Sequence, residues 1–373
     1  MNIDIILPFK EIFSEKKASA VSLTVKNSME YSIYFDSIKV YGQMTSKPFF
    51  KKNFQGIKPN WFLHLGNNQS ILKNYIQVIK NNSNSKRLIE IHNRPYLFNT
   101  AIKKIKNYPI TLHFHNDPNT MRGSKTILER KKIAEKAAAV YFVSKFIKDK
   151  YLEGIDKEYN NLHILPNGVE RRLNHIPDKK KEVVFVGRLV PEKGAHLFVK
   201  AISSIVKNNP KWLFRIIGTA KAGQNNLISS YEKQTIEEFN KLGPNTLYSG
   251  FIPNKEVQEI LKCSSILIVP SLWDDPFPLI ALEGTCNGMA VIASNRGGLT
   301  EMLCNTGILI DDIDENNLKD TINSLVLNEE KLTKYQNKSW ENYSFNQSLI
   351  VKNQDRIRSE IVNNFFSHNT KIF

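Results

Sequence analysis

Short apolar runs alternate with stretches of helical spacing along the first half of the chain. Weaker alternation over 32–40 and 61–65 predicts edge strands, and the polar residues 81–86 predict a connector. The stronger runs are each long enough for one buried strand, and the amphipathic stretches have apolar positions three and four residues apart. The predicted strands are 3–7, 88–92, 110–115 and 140–143, and the predicted helices are 18–29, 69–80 and 125–138.

The second half repeats this pattern more clearly. Its predicted strands are 183–186, 212–217, 246–248, 266–269 and 290–293, and its predicted helices include 195–206, 254–263, 315–327 and a last amphipathic one at 346–366. Strands that alternate with helices predict parallel, doubly wound sheets. The fold class expected is therefore α/β, with two Rossmann-like halves.

The length of 373 residues suits two cores rather than one. Residues 170–181 are strongly basic and have no apolar period, so they are interpreted as a linker. The predicted domains are 1–172 and 173–345, followed by a C-terminal helix, 346–373, that crosses back to the first domain. We expect no signal peptide and no membrane span, because no apolar run approaches about 20 residues.

The composition indicates the redox compartment of the protein and the class of its binding partners. Three cysteines in apolar surroundings indicate a reducing compartment without disulfides, and no CxxC or HExxH motif predicts a metal site. Residues 1–172 hold 29 Lys and Arg against 14 Asp and Glu, whereas residues 173–373 are nearly neutral, at +1 of the total +16. A basic half suggests an anionic membrane surface, an acidic glycolipid or nucleic acid; lysine enrichment by an AT-rich genome would not explain why the halves differ.

Two strands of the first half end alike, in His-Asn followed by a charge and a proline. His92 and Arg94 end the first, and His115 and Asp117 end the second. Ligands of doubly wound sheets bind beyond the carboxyl ends of the strands, so these side chains are functional candidates. His113 lies two residues before His115 on the same strand face, and we interpret it as a core histidine. Strand-capping histidines with satisfied hydrogen bonds are the alternative for the others.

A glycine-bounded loop follows the first strand of the second half. It runs from Gly187 to Gly194 and contains Arg188 and Lys193. An arginine can hold two phosphate oxygens at once and a lysine adds a mobile charge, so the pair suits a diphosphate. The alternative is that Arg188 and Lys193 are a solvated surface pair. Their position at the end of a strand makes this alternative less favoured.

The stretch 270–283, PSLWDDPFPLIALE, joins a buried strand to a helix. Carboxylates accept hydrogen bonds from vicinal hydroxyls, which suits Glu283 to a ribose and Asp275 to a sugar ring. Pro278 is expected as the first helical residue, so that the N–H groups of the next two residues, Leu279 and Ile280, face phosphate. Asp274 is expected to cap this helix, and capping by the aspartates with a surface role for Glu283 is the alternative. Asp274-Asp275 also resembles half of an acidic metal motif, but no third ligand is evident.

These motifs, taken together, resemble the retaining family 4 glycosyltransferases of GT-B architecture. The resemblance covers about residues 160–305 and is weaker in the first half, where 17–21, 92–95 and 115–117 look like its loop and strand-end motifs. Within the family, the chain is most similar to enzymes that build lipopolysaccharide core and other envelope glycans. The second-half matches are Gly187-Arg188-Leu189, Glu192-Lys193-Gly194, Pro166-Asn167-Gly168-Val169, Gly250-Phe251-Ile252 with Glu256, Pro270-Ser271, Asp275 with Glu283, Gly288, and Gly297-Gly298 with Glu301.

The resemblance implies two doubly wound domains that face each other across a cleft, and a hexosyl- or N-acetylhexosaminyl transfer with retention at the anomeric carbon. It implies that His115 and Asp275 act at the reaction centre, that no metal ion or other cofactor is needed, and that the donor is a UDP-sugar rather than a GDP-sugar. The acceptor would be an anionic glycolipid or glycan, at the cytoplasmic face of the inner membrane. The implied donor-binding residues are Gly187, Arg188, Lys193, Leu279, Ile280 and Glu283, and the acceptor-side candidates are Lys17, Ser19, His92 and Arg94.

Three departures bear on specificity. The family's first carboxylate is usually glutamate where this chain has Asp275, and its usual glycine nearby is Pro278. The loop after the first strand, 15–19, has two lysines and no glycine. Two other function classes remain open: a GT-B sugar-nucleotide epimerase or phosphorylase, and a protein that binds or glycosylates nucleic acid. No basic motif with interleaved aromatic residues supports nucleic-acid binding.

Overall fold

The computed structural model describes residues 1–15, 18–58, 66–80, 85–220 and 228–369. They divide into two compact units. Unit 1 comprises Met1–Gly168 with the C-terminal segment Gln347–Phe373, and unit 2 is Val169–Asn346. The sequence had suggested divisions after residues 172 and 345.

Unit 1 contains a parallel sheet of seven strands in the order β3-β2-β1-β4-β5-β6-β7. All of its neighbouring strands pair in parallel, as the alternating sequence pattern predicted. The strand order reverses between β1 and β4, which is where ligands bind in doubly wound sheets. The strands are β1 (Asn2–Ile6), β2 (Ile38–Gln43), β3 (Phe54–Ile57), β4 (Arg87–His92), β5 (Ile110–Phe114), β6 (Ala139–Phe142) and β7 (Leu162–Ile164).

Helices cover the sheet of unit 1. They are α1 (Ala20–Tyr31), α2 (Asn67–Lys80), α3 (Pro95–Lys104), α4 (Ile127–Lys136) and α5 (Lys145–Leu152), with the C-terminal helix α13 (Gln347–Asn369). Helix α13 packs against α1 and β4, and its Ile357 and Val362 are buried with the strand side chains. The last helix of the chain therefore belongs to the core of the first unit. No helix in the described part of the chain is long and apolar enough to cross a membrane.

Unit 2 repeats the winding with six parallel strands in the order β10-β9-β8-β11-β12-β13. Here the order reverses between β8 and β11, so the loops after these two strands flank the crevice of the sheet. The strands are β8 (Lys180–Val186), β9 (Leu213–Ile217), β10 (Thr246–Tyr248), β11 (Ser264–Val269), β12 (Ala290–Ser294) and β13 (Ile308–Ile310).

The helices of unit 2 bury apolar faces on both sides of its sheet. Phe198, Ile202 and Ile205 of α6 pack on Phe214 and Ile216 of β9 in the largest of its described apolar clusters. The helices are α6 (Ala195–Asn208), α7 (Ser230–Asn240), α8 (Asn254–Cys263), α9 (Leu279–Cys286), α10 (Gly298–Leu303), α11 (Glu315–Val326) and α12 (Glu329–Glu341).

The prediction of two parallel, doubly wound α/β halves is confirmed. Strand and helix ends differ from the prediction by a few residues, as is usual at frayed or capped termini. Helix α1 begins at Ala20 rather than 18, because Ser19 caps it. The edge strand predicted at 61–65 and most of the connector at 81–86 lie outside the described residues.

Candidate functional site

The first group of candidate residues lies in the loop after β8. Gly194 has φ of 72°, and a Cβ there would lie 2.0 Å from the carbonyl oxygen of Pro270, so only glycine lets the two loops approach this closely. Leu272 N–H donates to the Glu192 carbonyl at 2.8 Å, which joins the loops a second time. The loops after β8 and β11 therefore form one structure at the crevice of unit 2.

Lys193 and Asp275 form an ion pair across these two loops. The Lys193 ammonium donates to Oδ2 of Asp275 and lies 5.4 Å from the ring centroid of Trp273. The Asp275 side chain is 9% exposed and that of Lys193 is 21% exposed. The two residues that the sequence assigned to a diphosphate and a sugar are thus each other's partner.

Arg188 has a different environment from Lys193. Its side chain is exposed, and among the described residues its guanidinium has neither a hydrogen-bond nor an ion-pair partner. Its five N–H donors are therefore directed at solvent beside the crevice. Gly187, which precedes it, packs against the strand end by donating its N–H to the Ile217 carbonyl at 3.0 Å.

Two glycines fix the far side of the Asp275 loop. A Cβ on Gly297 would lie 2.6 Å from the Asp275 carbonyl oxygen, and one on Gly298 would lie 2.0 Å from that of Pro276. The Gly298 N–H donates to the Asp275 carbonyl at 2.8 Å. The start of α10 thus holds the backbone of Asp275 in place, which explains why the motif needs glycine at both positions.

The expectation that Asp274 caps α9 is wrong. The helix begins at Leu279 with Pro278 as its N-cap and no side-chain cap, so Pro278 precedes the first helical position. Asp274 lies too far before the helix and instead has Oδ1 3.7 Å from Nε of Arg296. Because the first N–H groups of a helix have no partner within it, those of Leu279 and Ile280 are not used by α9 itself, and their binding of an anion stays a prediction.

Glu283 lies one turn into α9 and faces the start of α8. Burial raises the pKa of its carboxyl to about 7, and hydrogen bonds from Asn254 and Gln258 oppose the shift; the Asn254 Nδ2–Glu283 Oε1 distance is 3.5 Å. Near neutral pH this carboxyl is therefore poised between its two protonation states. Contacts with hydroxyl donors would favour the carboxylate.

The second group of candidate residues is in unit 1, where three histidine rings lie together. His92 at the end of β4 is in register with His113 of β5, and their ring centroids are 4.2 Å apart with the planes at 10°. The His115 ring meets the edge of the His92 ring: the two planes differ by 14°, the centroids are 5.2 Å apart, and Nδ1 of His92 lies 2.9 Å from Nε2 of His115. His92 and His113 are buried and His115 is partly exposed.

Burial keeps these rings neutral. It lowers the pKa of His115 to about 4, and it lowers the pKa values of His92 and His113 well below the usual value, with a further contribution from His115 and Arg358. Among the described residues, the His113 side chain has one hydrogen-bond contact, with Thr111 at 3.5 Å, and it stacks on Tyr141 at 4.5 Å. This environment is the one predicted for a core histidine.

Glu90 shares the inner face of β4 with His92 and is completely buried. Arg358 of α13 donates Nε and Nη2 to its two oxygens at 2.8 Å each, and Nη1 to Asp355 at 2.9 Å. Asp355 in turn accepts from Ser32 at 3.0 Å and from Ile33 N–H at 2.9 Å. The last helix is therefore attached to the first sheet by a buried network of charges.

Glu90, His92 and His113 are a group of metal-ligand types within the described residues, with ligand atoms within 4.8 Å of one another. Their geometry does not suit a shared ion. A bound metal lies in the plane of each imidazole that binds it, whereas His92 and His113 are nearly parallel and stacked. Both oxygens of Glu90 are also engaged by Arg358.

Two of the remaining acceptor-side candidates, Ser19 and Arg94, have structural partners. Ser19 is the N-cap of α1, where its hydroxyl accepts from Ser22 N–H at 3.2 Å and donates to Glu11. Arg94 occupies the cap position of α3 and donates to the Asn93 carbonyl at 2.6 Å. Lys17 lies outside the described residues.

Sequence profiles decide the family of unit 2. The profile described as "Glycosyl transferases group 1" matches residues 168–341, which include the loops after β8 and β11 and all of α9. Residues 168–341 form a glycosyltransferase group 1 domain. The prediction of a glycosyltransferase relationship is confirmed for this unit.

Curated relatives of this domain include envelope-glycan enzymes. A Salmonella typhimurium lipopolysaccharide 1,2-N-acetylglucosaminetransferase is 23% identical over 233 residues, covering 58% of this chain and 56% of that protein. An Escherichia coli UDP-Gal:alpha-D-GlcNAc-diphosphoundecaprenol alpha-1,3-galactosyltransferase is 33% identical over 187 residues, covering 48% of this chain and 45% of that protein. The chain thus spans about half the length of these relatives.

Some solved structures are similar to this chain over both of its units. The Anabaena protein Alr3699/HepE, crystallised with UDP, matches with a TM-score of 0.74 and 16% identity over 96% of this chain and 100% of that one. At this identity the match concerns the fold. The glycosyltransferase group 1 domain and its N-terminal companion therefore have the GT-B fold class, as predicted.

Sequence reasoning missed three pairings, one at the crevice of unit 2 and two in unit 1. These are Lys193 with Asp275, His92 with His115, and Glu90 with Arg358. A charged residue inside the apolar run of β4 was a signal for the last, because a buried carboxylate requires a partner. The first two join loops that are distant in the sequence, and nothing in either loop alone indicates them.

Proposed function

We propose that the protein is a glycosyltransferase that moves a sugar from a nucleotide diphosphate sugar to an envelope-glycan acceptor. The observation that carries the proposal is the pair of loops at the crevice of unit 2. There the exposed cation Arg188, the Lys193–Asp275 pair and the uncapped start of α9 converge on one strand edge. A diphosphate, a sugar ring and a ribose each find a group there that matches their chemistry.

The donor's diphosphate is proposed to bind Arg188, Lys193 and the N–H groups of Leu279 and Ile280. The two side chains supply positive charge and the helix supplies donors at its positive end. Negative charge grows on the diphosphate as the sugar–phosphate bond breaks, so the same groups stabilise the leaving group. When Lys193 moves to phosphate, Asp275 is freed to accept from sugar hydroxyls. Glu283 accepts from the ribose hydroxyls.

Transfer without a metal ion is part of the proposal. The acidic pair that resembles a metal motif is already occupied by cations, Asp274 by Arg296 and Asp275 by Lys193. Protein cations and helix N–H groups therefore stabilise the negative charge that a divalent ion stabilises in other diphosphate sites. His115 is proposed to act at the reaction centre, and retention of configuration follows the sequence resemblance.

A UDP-sugar with a hexosyl or N-acetylhexosaminyl group is the proposed donor. The Anabaena neighbour was crystallised with UDP and also with UDP-glucose. The two bacterial relatives act on lipopolysaccharide and on a diphosphoundecaprenol-linked sugar, by their names, which supports an anionic envelope glycolipid as acceptor. The basic residues of 1–172 would favour such an acceptor, and a peripheral position on the cytoplasmic face of the inner membrane.

The experiment that tests the proposal is an assay with UDP-glucose, UDP-galactose, UDP-N-acetylglucosamine and GDP-mannose, each with and without a lipid extract of bacterial envelope. We expect one UDP-sugar to release UDP in proportion to labelled lipid product, with the product's anomeric coupling matching the donor's. An epimerised sugar nucleotide formed without acceptor would instead identify an epimerase. Phosphate-dependent release of sugar 1-phosphate would identify a phosphorylase.

Binding to vesicles separates the membrane proposal from the nucleic-acid alternative. The full chain is mixed with vesicles containing an anionic phospholipid, with neutral vesicles, and with duplex DNA, over a range of salt concentrations. We expect binding to the anionic vesicles that weakens with salt. A stronger preference for duplex DNA would favour the nucleic-acid alternative.

A further inference from the structure

The hydrogen bond between His92 and His115 can have its proton on either of the two nitrogens. Both rings are neutral, so a single proton lies between Nδ1 of His92 and Nε2 of His115, 2.9 Å apart. A neutral imidazole carries one N–H and one bare nitrogen, so the position of this proton fixes the tautomer of both rings. Either both rings are protonated at Nδ1 or both are protonated at Nε2.

The surroundings of His92 distinguish these arrangements. Its Nε2 is buried and has no hydrogen-bond partner among the described residues. Protonation at Nε2 would bury an N–H donor without an acceptor, which is rare in folded proteins and costs about 1–3 kcal/mol. Protonation at Nδ1 places the proton where an acceptor is available, the Nε2 of His115.

The backbone around the pair holds this arrangement in place. Asn93 has a left-handed φ of 54°, its N–H donates to the His113 carbonyl at 2.7 Å, and its Oδ1 accepts from the His115 N–H at 3.2 Å. The ends of β4 and β5 are thereby joined directly beside the two rings. His113 stacks on a face of the His92 ring and His115 contacts its edge, so the orientation of the His92 ring is held from two directions.

We propose that His92 is a positioning residue that donates its Nδ1–H to Nε2 of His115 and so makes His115 a hydrogen-bond donor through Nδ1. This inference rests on the proposed function, in which His115 meets the substrates. His115 is partly exposed, and its Nδ1 then offers N–H to a sugar or acceptor oxygen instead of a bare nitrogen. His115 would therefore bind and orient an oxygen, and it would not remove a proton through that nitrogen.

The test is the tautomeric state of His115 in the full-length protein, read from two-bond 15N–1H NMR correlations of histidine-labelled samples and assigned with His115→Gln. We expect wild-type His115 to be protonated at Nδ1. His92→Asn, whose side-chain NH2 lies near the position of Nδ1–H, should keep that state, and His92→Leu should let His115 populate the Nε2–H form. Wild-type protonation at Nε2, or an unchanged spectrum in His92→Leu, would overturn the proposal.

Kinetics provide the second readout. His92→Leu should lower kcat by about 10- to 100-fold, the range for residues that orient a functional ligand or imidazole, with little change in KM for the donor. His92→Asn should recover most of the loss, and equal loss in both variants would contradict a role through the donated proton. The NMR result does not require turnover, so it decides the inference even if the proposed transfer activity fails.

Discussion

Lys193 Nζ donates to the carboxylate of Asp275 and so joins the loops after β8 and β11 of unit 2. The two side chains neutralise each other, although each is proposed to bind a different part of the donor. A diphosphate brings negative charge that competes with Asp275 for the ammonium. The pair therefore keeps Asp275 from being an unpaired buried charge until a ligand arrives.

The unequal burial of this pair predicts unequal effects of removing each partner. Lys193→Met leaves the carboxylate of Asp275, 9% exposed, without a cation and should destabilise the protein by about 1–3 kcal/mol. Asp275→Asn leaves only the more exposed Lys193 unpaired, and should cost less. Urea unfolding measures both, with the surface variant Lys200→Met as control.

The double variant makes this prediction sharper. Adding Asp275→Asn to Lys193→Met removes the unpaired charge and should restore part of the lost stability. If the effects of the two substitutions simply add, the ion pair is not the source of the loss.

The raised pKa of Glu283 predicts that donor binding depends on pH. A group with a pKa of about 7 is mostly protonated at pH 6 and mostly ionised at pH 8. If the ribose binds the carboxylate, the Kd for a UDP-sugar should fall by about tenfold over this range. UDP-glucose is the probe, because the terminal phosphate of free UDP would itself titrate near pH 6.

Glu283→Gln is the matched control for that titration. It should bind the donor more weakly and without the change between pH 6 and 8. The raised pKa of Glu283 also makes the free energy of unfolding depend on pH. Raising the pH is expected to favour donor binding but to lower the stability of the fold. The unfolded carboxyl ionises from about 4.5 upward, whereas the folded one holds its proton to about 7, so ionisation opposes folding as pH rises through this interval. A pH-independent Kd in the wild type would contradict the assignment of Glu283 to the ribose.

The close approach of Gly298 to the Asp275 loop predicts a steric effect on binding. Gly298→Ala puts a Cβ 2.0 Å from the Pro276 carbonyl oxygen and must displace the backbone that carries Asp275. We expect UDP-sugar affinity to fall by about tenfold or more, since a shift of about 1 Å in a positioned group is costly. Gly42→Ala is the control, because its nearest contact would be an ordinary 3.6 Å. Equal affinities in both variants would show that the loop tolerates the change.

The pattern of apolar and polar positions predicted that both sheets are doubly wound. It also located the strand ends on which Arg188, Asp275 and His115 lie. That success has a physical basis, because burial forces strand and helix periods onto the sequence and ligands bind where parallel strands end. The failure at Asp274 is also physical. A cap must directly precede its helix, and Pro276 and Pro278 delay the start of α9 to Leu279.

Long-range partners could not be predicted in the same way. Glu90 and Arg358 are 268 positions apart, and Lys193 and Asp275 are 82 apart. A sequence shows that a buried charge needs a partner, but only the packing of α13 on β4 determines which one it is. The tautomer of His115 likewise depends on a ring contributed by a neighbouring strand.

The attachment of α13 is predicted to depend on Arg358. Arg358→Met leaves Glu90 buried and unpaired, and should destabilise unit 1 by about 3–5 kcal/mol. Arg356 is its matched control, since it is two residues away, is 62% exposed and pairs with Glu360 on the surface. Arg356→Met should change stability by no more than about 0.5 kcal/mol. Thermal or urea unfolding of both variants checks this, and similar losses would show that the buried pair is not what holds the helix.

The proposed donor site is tested most directly by calorimetric binding of UDP to the wild type, to Arg188→Ala and to the surface variant Lys200→Ala. Arg188 has no partner among the described residues, so its removal should leave the unfolding temperature unchanged. A lost charge-assisted contact of about 1.5–3 kcal/mol predicts roughly 10- to 100-fold weaker binding in Arg188→Ala and none of that loss in Lys200→Ala. Equal UDP affinity in all three proteins, or no binding by the wild type, would contradict a nucleotide diphosphate site at this crevice.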